Sequence, residues 1–203
     1  MKTYLTKSLQ LLSYTMILCC GVYPLTVWII GQSIFSFQAN GSVLLNQAGQ
    51  PVASRLIAQK FTLPEYFHPR PSAADFNAEL SASSALAVTN PALRQRLEHA
   101  LVQLAAEGVD ASVAPVPADA VMTSASGLDP AISLAYAERQ LDRIAGAWAQ
   151  KLGQPSEKIR QTIETILQEN VFAPLGLSDG TAAVNVMTLN WILSATYAEN
   201  RHE

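Results

Sequence analysis

The chain has few of the residues from which metal sites and active sites are usually built. Its 203 residues include only two cysteines and three histidines, and no two of the histidines have the spacing of paired metal ligands. No glycine-rich run ends in Gly-Lys-Ser or Gly-Lys-Thr, which excludes the common phosphate-binding loop. From the sequence we therefore predict no catalytic residue, no metal site and no directly bound cofactor.

Charged residues are absent from a long stretch near the N-terminus, between Lys7 and Arg55. Much of this stretch is apolar, and about 20 apolar residues suffice to cross the hydrocarbon core of a membrane as a helix. A cleaved signal peptide and a lipoprotein signal at Cys19 or Cys20 fit less well, because the apolar run is too long and no small residue stands where the cut requires one. The sequence predicts an uncleaved transmembrane anchor over residues 9–34.

The basic residues near the anchor predict its orientation. Lys2 and Lys7 precede the anchor, and no basic residue follows it within about 20 residues. Because positive residues favour the cytoplasmic side, residues 1–8 are expected in the cytoplasm and residues 35–203 in the periplasm. Two of the 13 basic residues precede the anchor, which leaves 11 against 16 acidic residues and a net charge of −5 for the periplasmic part. That charge argues against nucleic-acid binding, and the lack of cysteine in this part suits an oxidising compartment.

Apolar patterns and turn signals predict a small extracytoplasmic α+β domain after the anchor. Helical spacing and capping residues predict four helices, which begin near residues 90, 134, 155 and 190. Three short strands are expected at residues 42–45, 52–57 and 184–189. Two stretches without a helical period, 75–89 and 112–118, are predicted to be irregular and extended, respectively.

A proline-rich stretch, FTLPEYFHPRPSA at residues 61–73, interrupts this pattern. Its three prolines exclude a regular helix or a central strand. His68 is expected to make a local hydrogen bond rather than to bind a metal. Two roles are open for Arg70, which stands between two prolines: an anchor that hydrogen-bonds nearby carbonyl groups, or a contact with another protein.

The stretch VMTSASGLDPAIS, residues 121–133, leads into the second predicted helix. Asp129 is placed to cap that helix, with Pro130 at its first position. Ser133 offers an alternative cap one turn later, which would leave the preceding residues as a tight turn.

The same stretch contains a possible anion site. Ser124, Ser126 and Gly127 could form a nest of backbone N–H groups that binds an anion. Asp129 would repel a phosphate, and Pro130 removes one N–H donor from the helix start. A structural cap is therefore favoured over a nucleotide site.

Four segments together resemble the C subunit of the Kdp-type potassium-transporting ATPase complex of bacteria, the KdpC family. They are FTLPEYFHPRPSA (61–73), SASGLDPAIS (124–133), QLDRIA (140–145) and VNVMTLN (184–190). The segments occur in the family's order behind a single N-terminal span, so the resemblance covers essentially the whole chain. Met122, Ala125 and Ala131 depart from the residues that are usual in the family, which weakens any catalytic role for one polar side chain of the loop.

The resemblance implies a place in a four-part pump. A channel-like subunit selects potassium, a P-type ATPase subunit hydrolyses ATP, and a small peptide and the C subunit complete the complex. The C subunit has been described in the family as a catalytic chaperone that raises the ATP affinity of the ATPase subunit. The chain is accordingly expected to be a single-pass protein of the bacterial inner membrane that is no enzyme by itself, while its partners handle ATP and potassium.

Nine residues of the matching segments are expected to have structural or interface roles: Arg70, Pro71, Ser72, Asp129, Pro130, Gln140, Arg143, Asn185 and Asn190. The alternative is a regulatory subunit that binds ATP directly through residues 124–130, with Ser124, Ser126 and Gly127 as the binding residues. A periplasmic domain cannot contact cytoplasmic ATP. The predicted topology therefore favours an effect on ATP affinity that passes through the membrane subunits.

Overall fold

The structure is a computed structural model that describes residues 2–46, 48–109, 115–173 and 182–198. It divides into two compact units, Met1–Val43 and Leu44–Glu203. The prediction of one apolar N-terminal helix followed by an α+β region is confirmed.

One long apolar helix dominates the first unit. Its parts are α1 (Lys2–Met16), a π-helical segment (Ile17–Val22) and α2 (Tyr23–Ile34), and the short helix α3 (Ser36–Ala39) follows. The stretch Thr3–Ile34 has a mean hydropathy of 1.6 in its most apolar window, and none of that window is buried. With a rise of about 1.5 Å per residue, these 32 residues are long enough to cross a membrane.

The two strands predicted around the turn NQAGQ are present. They are β1 (Val43–Leu45) and β2 (Pro51–Ser54), which form a two-stranded sheet. The N–H of Asn46 donates to the carbonyl of Gln50 at 2.9 Å, and Gly49 has a φ of +72°, a conformation that favours glycine. The second strand ends at Ser54, three residues earlier than the predicted end at residue 57.

The second unit contains five helices within the described residues. They are α4 (Pro91–Ala106), α5 (Ala118–Val121), α6 (Leu134–Leu152), α7 (Ser156–Glu169) and α8 (Val186–Ala198). Asn90 caps α4 by accepting a hydrogen bond from the N–H of Ala92 at 2.9 Å, and Gly153 ends α6 with a φ of +64°. The predictions of α4, α6 and α7 are thereby confirmed, whereas the single turn α5 was not predicted.

The start of α6 corrects one prediction. Asp129 and Pro130 do not cap or begin this helix, because β3 (Ala131–Ser133) lies between them and α6. This strand pairs antiparallel with β4 (Ala183–Asn185). Ser133 is the cap, since its Oγ atom accepts a hydrogen bond from the N–H of Tyr136 at 3.1 Å. The residues before the cap thus form a strand instead of a tight turn.

The C-terminal part of the chain corrects a second prediction. The strand expected at residues 184–189 ends at Asn185, and α8 begins at the next residue. The Oδ1 atom of Asn185 accepts a hydrogen bond from the N–H of Thr188 at 3.0 Å, as the side chain of a helix cap does. Most apolar side chains in the first two turns of α8 are buried, so the contrast between faces that reveals an amphipathic helix is missing.

The core of the second unit lies among α6, α7, α8 and the proline-rich stretch. Helices α6 and α7 make the most extensive contact between elements. Ile144, Ile163 and Leu193 from the three helices are fully buried together with Phe67 of the proline-rich stretch. A segment without regular secondary structure is therefore a central part of the core.

Two stretches were predicted to lack helices and strands. Residues 75–89 contain isolated turns and neither helix nor strand, as expected. Residues 115–117 of the stretch predicted as extended carry neither helix nor strand, and its last residue begins α5. The part of that prediction that concerns residues 112–114 lies outside the described residues.

Candidate functional site

The proline-rich stretch 61–73, called the strap below, has no regular secondary structure. Buried backbone groups outside a helix or sheet need other hydrogen-bond partners. For Phe67 the partner is Asn190, whose Oδ1 accepts from the Phe67 N–H at 2.8 Å and whose Nδ2 donates to the Phe67 carbonyl at 2.9 Å. Gln140 binds His68 in the same two-point manner, at 2.7 and 3.2 Å. Two side-chain amides therefore replace a neighbouring strand.

Arg143 holds the preceding part of the strap. Its Nη1 donates to the carbonyl groups of Pro64 and Tyr66 at 2.7 and 3.0 Å, and its Nη2 donates to Oε1 of Gln140 at 2.7 Å. The planar fork of a guanidinium suits several acceptors at once. Burial lowers the pKa of the Arg143 guanidinium, and the negative charge of Glu107 opposes this shift. Gln140 and Arg143, one turn apart on α6, thus bind consecutive parts of the strap.

Glu107 joins the C-terminal end of α4 to this network. Its Oε2 atom lies 3.0 Å from Nδ1 of His68 and 3.8 Å from Nε of Arg143. The hydrogen bond from His68 is the main cause of a lowered pKa of the Glu107 carboxyl; burial acts in the opposite direction. Nε2 of His68 lies 3.3 Å from the carbonyl oxygen of Leu63, so the predicted local contact of His68 is present.

A second contact between the strap and α6 was missed by the sequence analysis. Glu65 is only 3 % exposed, and its carboxylate is paired with the ammonium group of Lys151. The indole Nε1 of Trp148 donates to the carbonyl oxygen of Glu65 at 2.9 Å. Trp148 and Lys151 are three residues apart and share a helix face, but that spacing does not identify Glu65 as their partner.

Arg70 connects the strap to the loop at residues 121–130. Its Nη2 donates to the carbonyl of Thr123 at 3.3 Å, and its Nη1 lies 3.7 Å from Oδ2 of Asp129. The Oδ1 atom of Asp129 accepts a hydrogen bond from the N–H of Ala131 at 3.0 Å. Arg70 therefore makes the carbonyl contact expected of an anchor, and Asp129 supports the turn into β3.

Pro71 and Ser72 bind the same loop through its backbone. The carbonyl of Pro71 accepts from the N–H of Ser124 at 3.2 Å, and the hydroxyl of Ser72 donates to the carbonyl of Gly127 at 2.6 Å. The Ser72 Oγ also accepts from the N–H of Ala74 at 3.1 Å. Arg70, Pro71 and Ser72, the strap residues predicted to have structural or interface roles, therefore all contact the loop at residues 121–130.

The serine and glycine residues of the possible anion site are engaged within the domain. The Oγ atom of Ser126 accepts from the N–H of Leu128 at 3.1 Å, and the carbonyl of Ser126 accepts from the N–H of Ala82 at 3.0 Å. A Cβ atom at Gly127 would lie 2.8 Å from the carbonyl oxygen of Ala82, so a larger residue would clash there. Ser124 is 2 % exposed. This geometry packs the loop tightly against its neighbours.

Pro130 and Asn185 connect the loop to the C-terminal elements. The carbonyl of Pro130 accepts from the N–H of Val186 at 3.0 Å. Nδ2 of Asn185 donates to the carbonyl of Arg55 at 2.8 Å, and Nε of Arg55 donates to Oγ1 of Thr188 at 3.0 Å. The nine predicted structural or interface residues are therefore all placed at contacts between distant segments of this unit.

A cleft of about 1010 Å³, called the apolar cleft below, is lined by residues of β1, β2 and the segments beside them, of the strap and of α8. The described residues that line the cleft, which include Val52, are all uncharged. Trp191 lines the cleft, is 40 % exposed and donates from Nε1 to the carbonyl of Leu45 at 3.0 Å. Tyr66 and Ser194 also line it and hydrogen-bond to each other at 3.3 Å. An exposed aromatic side chain is thus fixed beside an uncharged cavity.

Two observations bear on metal binding and nucleophilic catalysis. Within the described residues, no group of three or more His, Cys, Asp or Glu side chains could hold a metal ion. The segment GLSDG, residues 176–180, has the spacing of a serine nucleophile elbow but lies outside the described residues.

Comparison with known proteins identifies the family. A family model described as "K+-transporting ATPase, c chain" (KdpC) matches residues 5–195. The potassium-transporting ATPase KdpC subunit of Bacillus cereus is 39 % identical over 184 residues, which cover 90 % of this chain and 91 % of that protein. The KdpC subunit of Caulobacter vibrioides is 39 % identical over 199 residues, 97 % of this chain and 95 % of that protein. KdpC subunit 2 of a Nostoc species is 39 % identical over 182 residues, 85 % and 83 % of the two chains.

The segments that carried the resemblance are the strap, its loop and the helix positions that bind them. The family model and the relatives extend this likeness over nearly the whole chain. The resemblance inferred from the four segments is confirmed: the chain belongs to the KdpC family, the c chains of K+-transporting ATPases.

Proposed function

We propose that this chain is a non-catalytic accessory subunit of an ATP-driven, high-affinity potassium uptake complex, which it helps to assemble and stabilise. The observation that carries the proposal is the use of the polar residues in the family segments. Arg70, Gln140, Arg143 and Asn190 all bind backbone groups of the strap or its loop. Side chains used in this way support a rigid docking module rather than a reaction centre.

In this proposal the anchor crosses the inner membrane once, with the N-terminus in the cytoplasm and the domain in the periplasm. The lysines before the span and the absence of basic residues just after it support this orientation. Alkaline phosphatase fused after residue 198 should be active, because the enzyme matures only outside the cytoplasm. An inactive fusion of normal abundance would contradict the orientation.

The partners in this proposal are the channel-like potassium-binding subunit, the P-type ATPase subunit and the small peptide subunit. The domain docks on the potassium-binding subunit, and the apolar cleft receives a neutral apolar segment of that protein. An uncharged lining supports such an occupant, because a charged segment would lose hydration there without gaining a partner. Trp191 supports it as well, since a fixed and partly exposed tryptophan is typical of the centre of a protein interface.

The influence on ATP affinity would then be indirect. As a catalytic chaperone, the subunit would favour the ATP-binding state of the ATPase subunit through contacts with the membrane subunits. Direct binding of ATP by residues 124–130 is the alternative. It is less favoured because Ser126 and Gly127 are engaged by neighbouring residues and Asp129 adds negative charge. Saturable ATP binding by the isolated chain, abolished in Ser126→Ala, would support the alternative.

Purification of the tagged full chain in mild detergent tests the docking. Ala195→Arg places a charge in the apolar cleft and is expected to lower the retained pump subunits at least about tenfold, the equivalent of 1.4 kcal/mol. Val88→Arg, at a residue that is 93 % exposed, serves as the control and should retain them. Equal retention by both variants would contradict docking through the cleft. Absence of pump subunits from the wild-type preparation would contradict the accessory role itself.

A further inference from the structure

The long N-terminal helix widens at its π-helical segment, Ile17–Val22. There the N–H of Tyr23 donates to the carbonyl of Leu18, five residues back. The following residue is Pro24, which has no N–H to donate. A wide turn and a proline therefore occur together near the middle of the helix.

Together these two features leave the carbonyl group of Cys19 without a donor from its own helix. In the α- and π-helical registers, the donor to a carbonyl lies four or five residues later. For Cys19 these residues are Tyr23 and Pro24. The N–H of Tyr23 is directed to Leu18, and Pro24 has none.

Hydroxyl side chains of the described helix do not supply the missing donor. The nearest threonine hydroxyls on the two sides, those of Thr15 and Thr26, donate to the carbonyls of Leu11 and Val22, both at 2.8 Å. Cys19 lies 16 residues after Thr3 and 15 before Ile34, the ends of the apolar helix. At the centre of a membrane span no water is present, and an unpaired backbone carbonyl is strongly unfavourable. A side chain of a neighbouring transmembrane helix can supply this missing donor.

We propose that a transmembrane helix of another pump subunit packs on the face formed by Cys19 and Cys20. A hydroxyl or amide side chain of that helix donates a hydrogen bond to the Cys19 carbonyl, as such side chains do between membrane helices. The two cysteines flank the carbonyl, and their small side chains let a second helix approach closely. The inference rests on the proposed function and adds to it the face of the anchor and the chemistry of its partner.

Site-specific photo-cross-linking of the full chain in native membranes tests the face. A photo-reactive phenylalanine derivative in place of Cys20 is expected to cross-link to another pump subunit several times more strongly than one in place of Leu25. Leu25 lies about 7.5 Å further along the helix and on roughly the opposite side of it. Equal yields at the two positions would overturn the proposal, and so would products formed only with lipid or with a second copy of this chain.

Pro24→Ala tests the hydrogen bond. The substitution restores an N–H that can pair with the Cys19 carbonyl inside the helix, so the donor of the partner is no longer required. Retention of pump subunits in mild detergent is expected to fall about threefold to tenfold, the range for one hydrogen bond between membrane helices. Leu25→Ala is the control and should leave retention unchanged.

The outcomes distinguish this inference from the function on which it rests. Retention by Pro24→Ala equal to that of the wild type would overturn the proposed hydrogen bond while leaving the accessory role intact. A wild-type chain that retains no pump subunit would contradict the accessory role and, with it, this contact.

Discussion

The strap and the N-terminal helix both contain prolines, but the backbone groups left without regular partners are completed differently in the two segments. Prolines remove N–H groups from both segments and interrupt regular structure. In the strap, Asn190, Gln140 and Arg143 bind the backbone groups that have no neighbouring strand. In the helix, the carbonyl of Cys19 has no donor from its own helix. A domain core must complete its hydrogen bonds within one chain, whereas a membrane helix in a complex can rely on a neighbour.

The largest effect on the stability of the domain is expected from Arg143→Met. The variant would leave the carbonyls of Pro64 and Tyr66 without their donor and the carboxylate of Glu107 without its arginine partner. The free energy of unfolding should fall by about 3 kcal/mol, as when one partner of a buried charged network is removed. Urea denaturation of the full chain in detergent, followed by tryptophan fluorescence, measures the change.

Arg143→Lys is the matched control for that prediction. It keeps the positive charge but loses the planar fork that reaches several acceptors, so its loss of stability should be intermediate. A loss for Arg143→Met of less than about 1 kcal/mol, the value of a single ordinary hydrogen bond, would show that the strap does not depend on this network.

A smaller loss is expected when one amide is removed from the strap. Asn190→Leu keeps the side chain's approximate size but leaves the N–H and carbonyl of Phe67 buried without a partner, which costs about 2 kcal/mol of unfolding free energy. Gln140→Leu should behave similarly at His68. Gln161→Leu, on an exposed face of α7, is the control, and equal losses in the three variants would contradict the role of the buried amides.

Glu107 makes the network sensitive to acid. The hydrogen bond from His68 lowers the pKa of its carboxyl below the ordinary 4.5 in the folded chain. A group of this kind stabilises the folded state above its unfolded pKa, and the contribution is lost as the pH falls through the folded pKa. The free energy of unfolding should therefore decrease below about pH 4.5 more steeply in the wild type than in Glu107→Gln. Parallel stability curves for the two proteins would contradict this origin of acid sensitivity.

Segments with local signals were predicted correctly, and segments defined by distant partners were not. Helices α4 and α6 combine an apolar stripe with a capping side chain in one stretch of sequence, and the apolar stripe of α7 begins directly after Pro155. The Asp129-Pro130 pair has the same local appearance, yet the chain continues as a strand because Ala131 pairs with Asn185, far along the sequence. The start of α8 was also not predicted, because its first two turns are buried on most sides and no polar face marks them as a helix.

The partners of the strap follow the same rule. Its prolines predict irregular structure, but Phe67 and Asn190 are 123 residues apart, and His68 and Gln140 are 72 apart. No local pattern connects residues at such distances, so Gln140 and Asn190 were found only through the family resemblance. Glu65 escaped detection because a carboxylate is rarely buried unless it is paired, and its partner also lies on a distant helix.

The smallest effect is expected from Arg160→Ala, which removes a charge network at the surface. Arg160 lies 2.8 Å from Asp142 and 3.4 Å from Glu164, but 37 % of its side chain is exposed. Solvent screens such pairs, so the free energy of unfolding should change by no more than about 0.5 kcal/mol. Arg143 and Arg160 belong to the adjacent helices α6 and α7, and the same denaturation experiment compares them directly. A loss for Arg160→Ala as large as that for Arg143→Met would contradict this comparison. Charge pairing alone would then account for the stability of the domain, and the hydrogen bonds from Arg143 to the buried backbone of the strap would add nothing.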